Sequence, residues 1–422
     1  MKSVPSVYCM TLVLCVSSTV SAAMPEWNTY QGNERHTGYV PISLNIGEMH
    51  HLWTQTYSAS LNPVAIGGGK IFASETGRFS PGRGLFAIQS QTGSNSWTYP
   101  DFGRVNSINP PAYANGRVYL QTGKESSSGI PPYLYAFDAT SGGLAFRSQF
   151  SAQWESYYAP TVYQGDVYMN GGYSGGAYRY DGDDGNREWF AGLPQYDDWT
   201  PAVDDQYVYA YVGEYSPGLY VLNRTTGTRE FTISDPQFDW NGWSMNLAPV
   251  LTDDGDVIAI HDGRLIRFDV DGRTIDWEMQ RSFSGQPTVA GNVIYAIDSS
   301  TLTAWDVSTG DYLWGWTPSG GERVVGNLIA TDTHILAQST SSTFAVNLAT
   351  GVEDWGFNAS GSIALGDGVL AIVDGPSLHA FSVTAVPEPS TLCLLLTGIA
   401  ICGLMNRRRI TRVLSLRAHG DH

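Results

Sequence analysis

Across residues 50–383 the apolar residues fall in short alternating runs, divided by clusters of Gly, Asp, Asn, Ser and Thr. Alternation at period two marks half-buried β-strands, and runs this short between turn residues are strands rather than helices. One phrase returns along the chain: a small apolar opener, a Val/Ile-Tyr strand, a strand ending in Asp or Asn, a Thr-Gly-like turn, then an aromatic strand. Its clearest copies occupy residues 159–190 and 286–316, the latter reading QPTVAGNVIYAIDSSTLTAWDVSTGDYLWGW.

The aromatic of the last strand recurs as Trp53, Trp97, Phe146, Trp189, Phe231, Trp277, Trp314 and Trp355. That spacing is about 40 residues, the period of a four-stranded propeller blade. Such a unit cannot bury both faces of its sheet alone and must pack against its neighbours around an axis. The pattern predicts an all-β, eight-bladed β-propeller over residues 24–385. The ends predict how it closes. HLWTQTY at residues 51–57 is a last-strand phrase with nothing before it, and residues 362–383 supply three strands with no fourth. Pairing residues 52–57 with strands in 361–383 removes two free sheet edges.

Two further segments lie outside the repeats. Residues 1–23 combine Lys2, an apolar core and the small-residue exit Val20-Ser21-Ala22-Ala23, which reads as a cleaved secretory signal. Cys15 follows Leu14 rather than a small residue, which argues against lipidation there. Residues 386–409 carry Pro387-Glu388-Pro389, an apolar run, then Arg407-Arg408-Arg409, and a short tail follows at 410–422. Arginines held on the cytoplasmic side would halt export there, although the run is shorter than the roughly 20 residues of a full span. This three-part tail resembles the PEP-CTERM sorting signal. The resemblance implies exosortase-type processing and delivery to the cell surface or extracellular matrix of a Gram-negative bacterium, after transient anchoring. Signals of that type end soon after the basic cluster, whereas this chain continues to His422.

Charge and cysteine use narrow the partners. The formal net charge is −17, and Lys70 and Lys124 are the only lysines within 24–385. Nucleic acid is thereby excluded, as is a membrane contact other than through the C-terminal segment. Cys9, Cys15, Cys393 and Cys402 all lie in the terminal segments, so the propeller holds no disulfide and relies on its core.

The phrases LYAFDATSGGLAF (134–146) and LTAWDVSTGDYLW (302–314), with the lead-in WNTYQGNERHTGYV (27–40), resemble the pyrroloquinoline-quinone-type repeat of quinoprotein-like propellers. The resemblance implies that the last-strand Trp docks between adjacent blades. It also implies two functional classes, quinone-dependent dehydrogenases and non-catalytic members, so fold alone does not choose. The dehydrogenases commonly carry a vicinal cysteine pair and a calcium held by Glu, Asn and Asp. The first is absent here, and no Asn-Asp pair has a recognisable context for the second.

Other chemistry finds no support. His36, His50, His51, His261, His334 and His379 show no metal-ligand spacing, and there is no nucleophile elbow, phosphate loop or dinucleotide motif. His36, in the lead-in, reads as structural. Asp181-Gly182-Asp183-Asp184-Gly185-Asn186 and Asp253-Asp254-Gly255-Asp256 could offer oxygens to calcium, but they occupy turn positions and read more simply as tight turns. No catalytic residue, metal ligand or cofactor is therefore assigned, with pyrroloquinoline quinone and calcium as the alternative.

The loops of one face are unequal. In the first four blades the second-to-third strand loops are long, at 76–84, 123–133, 171–177 and 213–218, and shorten to turns afterwards. The connections on that half concentrate Trp154, Tyr157, Tyr196, Trp199, Trp240 and Trp243 beside Glu155, Asp197, Asp198, Asp239 and Asn241. Rigid aromatics with adjacent polar groups form recognition surfaces. The expectation is an exported, non-catalytic propeller binding extracellular polysaccharide or a matrix protein. The alternative is a quinone-dependent dehydrogenase, or another enzyme sited in the funnel with acid and base drawn from Glu155, Asp197 and Asp198.

Overall fold

A computed structural model of the chain describes residues 24–76, 84–100, 102–194, 199–213, 216–239 and 247–386. The predicted signal segment, the sorting motif Pro387-Glu388-Pro389 with Arg407, Arg408 and Arg409, and the tail lie outside the described residues, as do Tyr196, Asp197, Asp198, Trp240 and Trp243. Among the described residues no helix is long and apolar enough to cross a membrane.

Ala23–Thr384 forms one compact unit of antiparallel sheets: six of four strands and one of seven. A representative sheet runs Ala65–Gly67, Lys70–Ser74, Leu85–Gln89 and Asn95–Tyr99 in sequence order. The seven-stranded sheet arises because Thr274–Ala290 pairs through its first part with Gly263–Asp269 and through its last part with Val293–Asp298. His50–Thr56 pairs antiparallel with Ser377–Ser382, its register running from His50 opposite Ser382 to Thr56 opposite Ser377. The arrangement is that of a β-propeller.

Burial follows the strand pattern. Second and third strands are buried on both faces and read as near-continuous apolar runs, such as Val257–His261 and Val369–Asp374. Outer strands alternate, and their repeat aromatic fills the seam to the next sheet. Trp53, Trp97 and Trp189 each donate Nε1–H to a carbonyl of the following sheet, those of Ser90, Ala139 and Arg224, at 2.9–3.0 Å, and Trp277 makes the same bond to Val307 O at 3.0 Å within the seven-stranded sheet. The Trp therefore docks between adjacent sheets, with its polar atom satisfied.

Candidate functional site

The lead-in segment forms the floor of the site. Residues 25–40 run across the propeller axis and offer backbone hydrogen bonds to one first strand after another. Pro25 O accepts from Asp367 N at 3.0 Å, Trp27 exchanges bonds with Ile66 at 2.8 and 2.9 Å, and Asn28 O accepts from Tyr113 N at 2.7 Å. Further on, Glu34 O, Arg35 O, Thr37 O and Gly38 O accept from the N–H groups of Val203, Leu251, Val289 and Ala330 at 2.8–3.0 Å. A segment that curves this tightly needs left-handed backbone, found at Gln31, Gly32, His36 and Gly38. At Gly38 the requirement is also steric, since a Cβ would lie 2.4 Å from Thr288 Oγ1.

His36 pins this strap from its centre. It is fully buried; Nδ1–H donates to Pro249 O at 3.0 Å, and Nε2 lies 3.0 Å from Thr161 Oγ1. Burial lowers its pKa to about 4, so the imidazole is neutral. The structural reading of His36 stands.

Side-chain amides and hydroxyls make the wall. Gln286 Oε1 accepts from Ala248 N at 2.9 Å while its Nε2 donates to Ala248 O at 2.8 Å, imitating a strand pair between neighbouring first strands. Asn327 does the same toward Ile363, at 3.1 Å to its N–H and 3.0 Å to its carbonyl. Asn62 donates to Ile108 O, Thr161 to Pro201 O and Thr288 to Leu328 O. Asn109 Oδ1 accepts from Tyr157 N at 2.9 Å. These polar groups therefore bind the wall to itself.

Above the strap lies a cavity of about 430 Å³, lined by Trp27, Tyr30, Pro63, Val64, Pro110, Pro111, Tyr158, Ala159, Leu247, Ile363 and the amides of Gln31, Gln286, Asn327 and Gln338. No described lining residue is a carboxylate, histidine, lysine, arginine or cysteine. Tyr30 and Tyr158 stack with centroids 4.3 Å apart at an interplanar angle of 4°. Burial, with Tyr158 adjacent, pushes the Tyr30 hydroxyl well above its usual range, and it donates to Gln286 Oε1 at 3.2 Å. The described lining can enclose a neutral group and places hydroxyls and amides, but no charged side chain, around it.

Pyrroloquinoline quinone with calcium does not fit this lining. The quinone carries three carboxylates, and a buried carboxylate needs a cation or several free donors. Calcium needs a cluster of oxygen ligands, usually including carboxylates. The described wall presents neither, and no group of described residues is arranged to hold a metal. The two acidic loops are engaged elsewhere. Asp254 and Asp256 pair with Arg267 at 2.7 and 2.8 Å, and Asp181 Oδ1 accepts from Asp183 N and Asp184 N at 2.7 and 3.1 Å, closing its own turn.

The half-face residues separate into distinct environments. Trp199 is fully buried in a cluster with Tyr168, Trp189 and Val203, and Tyr157 is buried with its backbone held by Asn109. Both side chains are thus buried where the sequence pattern suggested exposed rings. Each stands a few residues before a first strand, Thr161–Tyr163 and Ala202–Val203, where its side chain enters the interior. Trp154 is half-buried, its backbone N–H donating to Tyr157 Oη at 3.2 Å. Glu155 pairs with Lys124 at 2.7 Å. Among the described residues, the funnel therefore gathers no carboxylate pair.

The same half-face holds an aromatic groove that the sequence reading missed. Tyr173 is 77% exposed and Phe190 43% exposed; with Ser151, Tyr178, Arg187, Leu193 and Pro194 they line an open hollow of about 700 Å³. Phe190 packs on Tyr178 at 4.5 Å. The signal was available: Tyr173 stands within GGYSGG at 171–176, where flanking glycines provide nothing for its ring to pack on.

A second unanticipated feature braces the connection that leads to Trp240. Asp235, wholly buried, receives Arg264 Nη1 at 2.8 Å and Tyr211 Oη at 2.5 Å, and Arg264 also meets Glu278 at 2.5 Å. Asp235 Oδ1 additionally caps Gln237 N at 3.1 Å, and Phe238 stacks on His261 at 3.9 Å. Burial is the largest influence on Tyr211 and raises its pKa well above the usual value, so it stays a donor to Asp235.

A family model described as outer membrane protein assembly factor BamB matches residues 110–316 and 261–385. No curated protein sequence matches the chain. Among solved structures, a europium-containing methanol dehydrogenase aligns at TM-score 0.66 and 11% identity, covering 85% of this chain and 98% of that one. BamB from Moraxella catarrhalis aligns at TM-score 0.60 and 14% identity, covering 79% of this chain and 99% of that one. Quinohemoprotein alcohol dehydrogenase from Comamonas testosteroni aligns at TM-score 0.63 and 14% identity, covering 86% and 81%. At these identities the structural likeness concerns the fold alone.

Proposed function

The chain belongs to the family described as outer membrane protein assembly factor BamB, and from that premise we propose that it is an exported, non-catalytic propeller binding extracellular polysaccharide or a matrix protein. Counting the seven-stranded sheet as two gives eight blades, with the pairing of His50–Thr56 and Ser377–Ser382 as the closure. In support, first strands neighbour one another from Ala65–Gly67 through Ala112–Ala114 and Thr161–Tyr163 to Ala202–Val203. On the other side they run from Thr274–Ala290 through Val324–Ala330 to Ser362–Gly366, which again adjoins Ala65–Gly67.

The observation that carries the binding reading is the exposed Tyr173 beside Phe190 in an open groove on the built-up half-face. An exposed aromatic costs little to order and offers a flat apolar face to a sugar ring or a peptide. The proposal keeps Tyr196, Trp240, Trp243, Asp197 and Asp198, which lie outside the described residues, and the half-buried Trp154 as further candidate binding residues. The secretory signal at 1–23 and the sorting motif at 386–409 would deliver the propeller to the surface of a Gram-negative cell, with an exosortase-type machinery as processing partner.

The test is surface retention. Cells producing the wild-type chain should hold it on their exopolysaccharide, and replacing Tyr173 and Phe190, or Trp240 and Trp243, by Ala should release it to the medium. Retention unchanged in both double variants would remove this surface from consideration. The second reading, a quinone-dependent dehydrogenase, draws on the likeness of fold to the two dehydrogenases, and dye-linked alcohol oxidation by the purified chain with quinone and calcium would establish it.

A further inference from the structure

We propose that the axial cavity is a binding site for a small, uncharged, largely apolar molecule, and that it discriminates against anionic ligands of the same size. Its volume of about 430 Å³ falls within the roughly 300–1,000 Å³ of small-molecule pockets. The strap closes one end, and Pro63, Pro110 and Pro111 set part of the rim in fixed backbone, so the cavity is formed before a ligand arrives.

The polarity of the wall sets the class of ligand. Gln286 and Asn327 have both ends of their amides engaged with neighbouring strands, and Gln338 Oε1 accepts from Gly361 N at 2.8 Å. A ligand rich in hydroxyls would find few free partners, and a carboxylate would find no cation among the described lining residues. What remains on offer is apolar surface from Trp27, Val64, Leu247 and Ile363, with the stacked pair Tyr30 and Tyr158 as an aromatic wall. The chain's charge of −17 adds a general repulsion of anions.

The experiment titrates the purified full chain with N-phenylnaphthylamine, a neutral fluorophore that brightens in apolar surroundings, and follows energy transfer from tryptophan, Trp27 being in the wall. One saturable site is expected. Anilinonaphthalene sulfonate, which has the same ring frame and a negative charge, should bind about ten-fold more weakly or worse, and pyrroloquinoline quinone with calcium should not displace the neutral probe. Ala159→Leu, which adds volume at the wall, should weaken the neutral probe about ten-fold, with Val64→Phe as the second filling variant should the first not fold. Absence of a saturable site, equal or tighter binding of the sulfonate, displacement by the quinone, or unchanged binding in a folded cavity-filling variant would each overturn the proposal.

Discussion

The indole of Trp97 lies directly over Gly142 of the following sheet, so close that a Cβ at Gly142 would come within 2.6 Å of the ring. Gly142 has φ +72°, and the same ring donates Nε1–H to Ala139 O at 3.0 Å. The Thr-Gly-like turn and the last-strand aromatic are thus the two halves of one joint, which recurs between Trp53 and Gly93, Phe146 and Gly185, and Trp189 and Gly227. Gly142→Ala should cost about 2–4 kcal/mol, from the left-handed backbone plus overpacking against the ring. Gly351, at φ +68° with nothing within 4 Å of a Cβ, is the control. Gly351→Ala should cost only the backbone part, about 1–2 kcal/mol. Chemical denaturation of the two variants checks the difference.

Acid should weaken the strap. His36 is held neutral in the fold, its pKa lowered from 6.5 to about 4 by burial. The unfolded chain binds this proton more readily. The contribution is therefore complete above pH 6.5, declines as pH falls from 6.5 toward 4, and levels off below. The loss amounts to about 3 kcal/mol. His261 and His379 are shifted in the same direction by burial, so His36→Gln should flatten the pH dependence of melting temperature without abolishing it. An unchanged slope in that variant would show that His36 does not set it.

The ion network at Asp235 predicts an asymmetry between single and double replacement. Asp235→Ala leaves Arg264 buried with Glu278 alone and should cost about 3–5 kcal/mol, because an uncompensated buried charge is far more costly than a missing pair. Adding Arg264→Met should restore a large part of that loss. A double-mutant cycle by urea denaturation measures the coupling, and strictly additive effects would show that the two side chains do not act as a pair.

The repeat aromatics, the turn glycines and the strand pairs were legible because each answers to a local rule of period, turn chemistry or spacing. Trp97 and Trp189 dock where the repeat places them, and Trp53, Thr54, Gln55 and Thr56 pair with Ala380, His379, Leu378 and Ser377. Tyr157 and Trp199 were not legible. An aromatic in a polar connection looks the same whether its side chain faces outward or enters the interior, and here it enters the interior. The path of residues 25–40 across the axis was hidden for a related reason. Its hydrogen bonds go to strands far apart in sequence, and backbone pairing leaves no side-chain signature.

Co-sedimentation of the purified chain with exopolysaccharide tests the central claim most directly, using Tyr173→Ala and, as a control, Tyr312→Ala, since Tyr312 is also exposed, at 56%, but lies outside the groove. Both replacements are at the surface and should leave stability within about 0.5 kcal/mol of wild type. Binding through the groove predicts that wild type and Tyr312→Ala pellet with the polymer while Tyr173→Ala stays in the supernatant. Equal pelleting of all three, or no pelleting of the wild type, would contradict it.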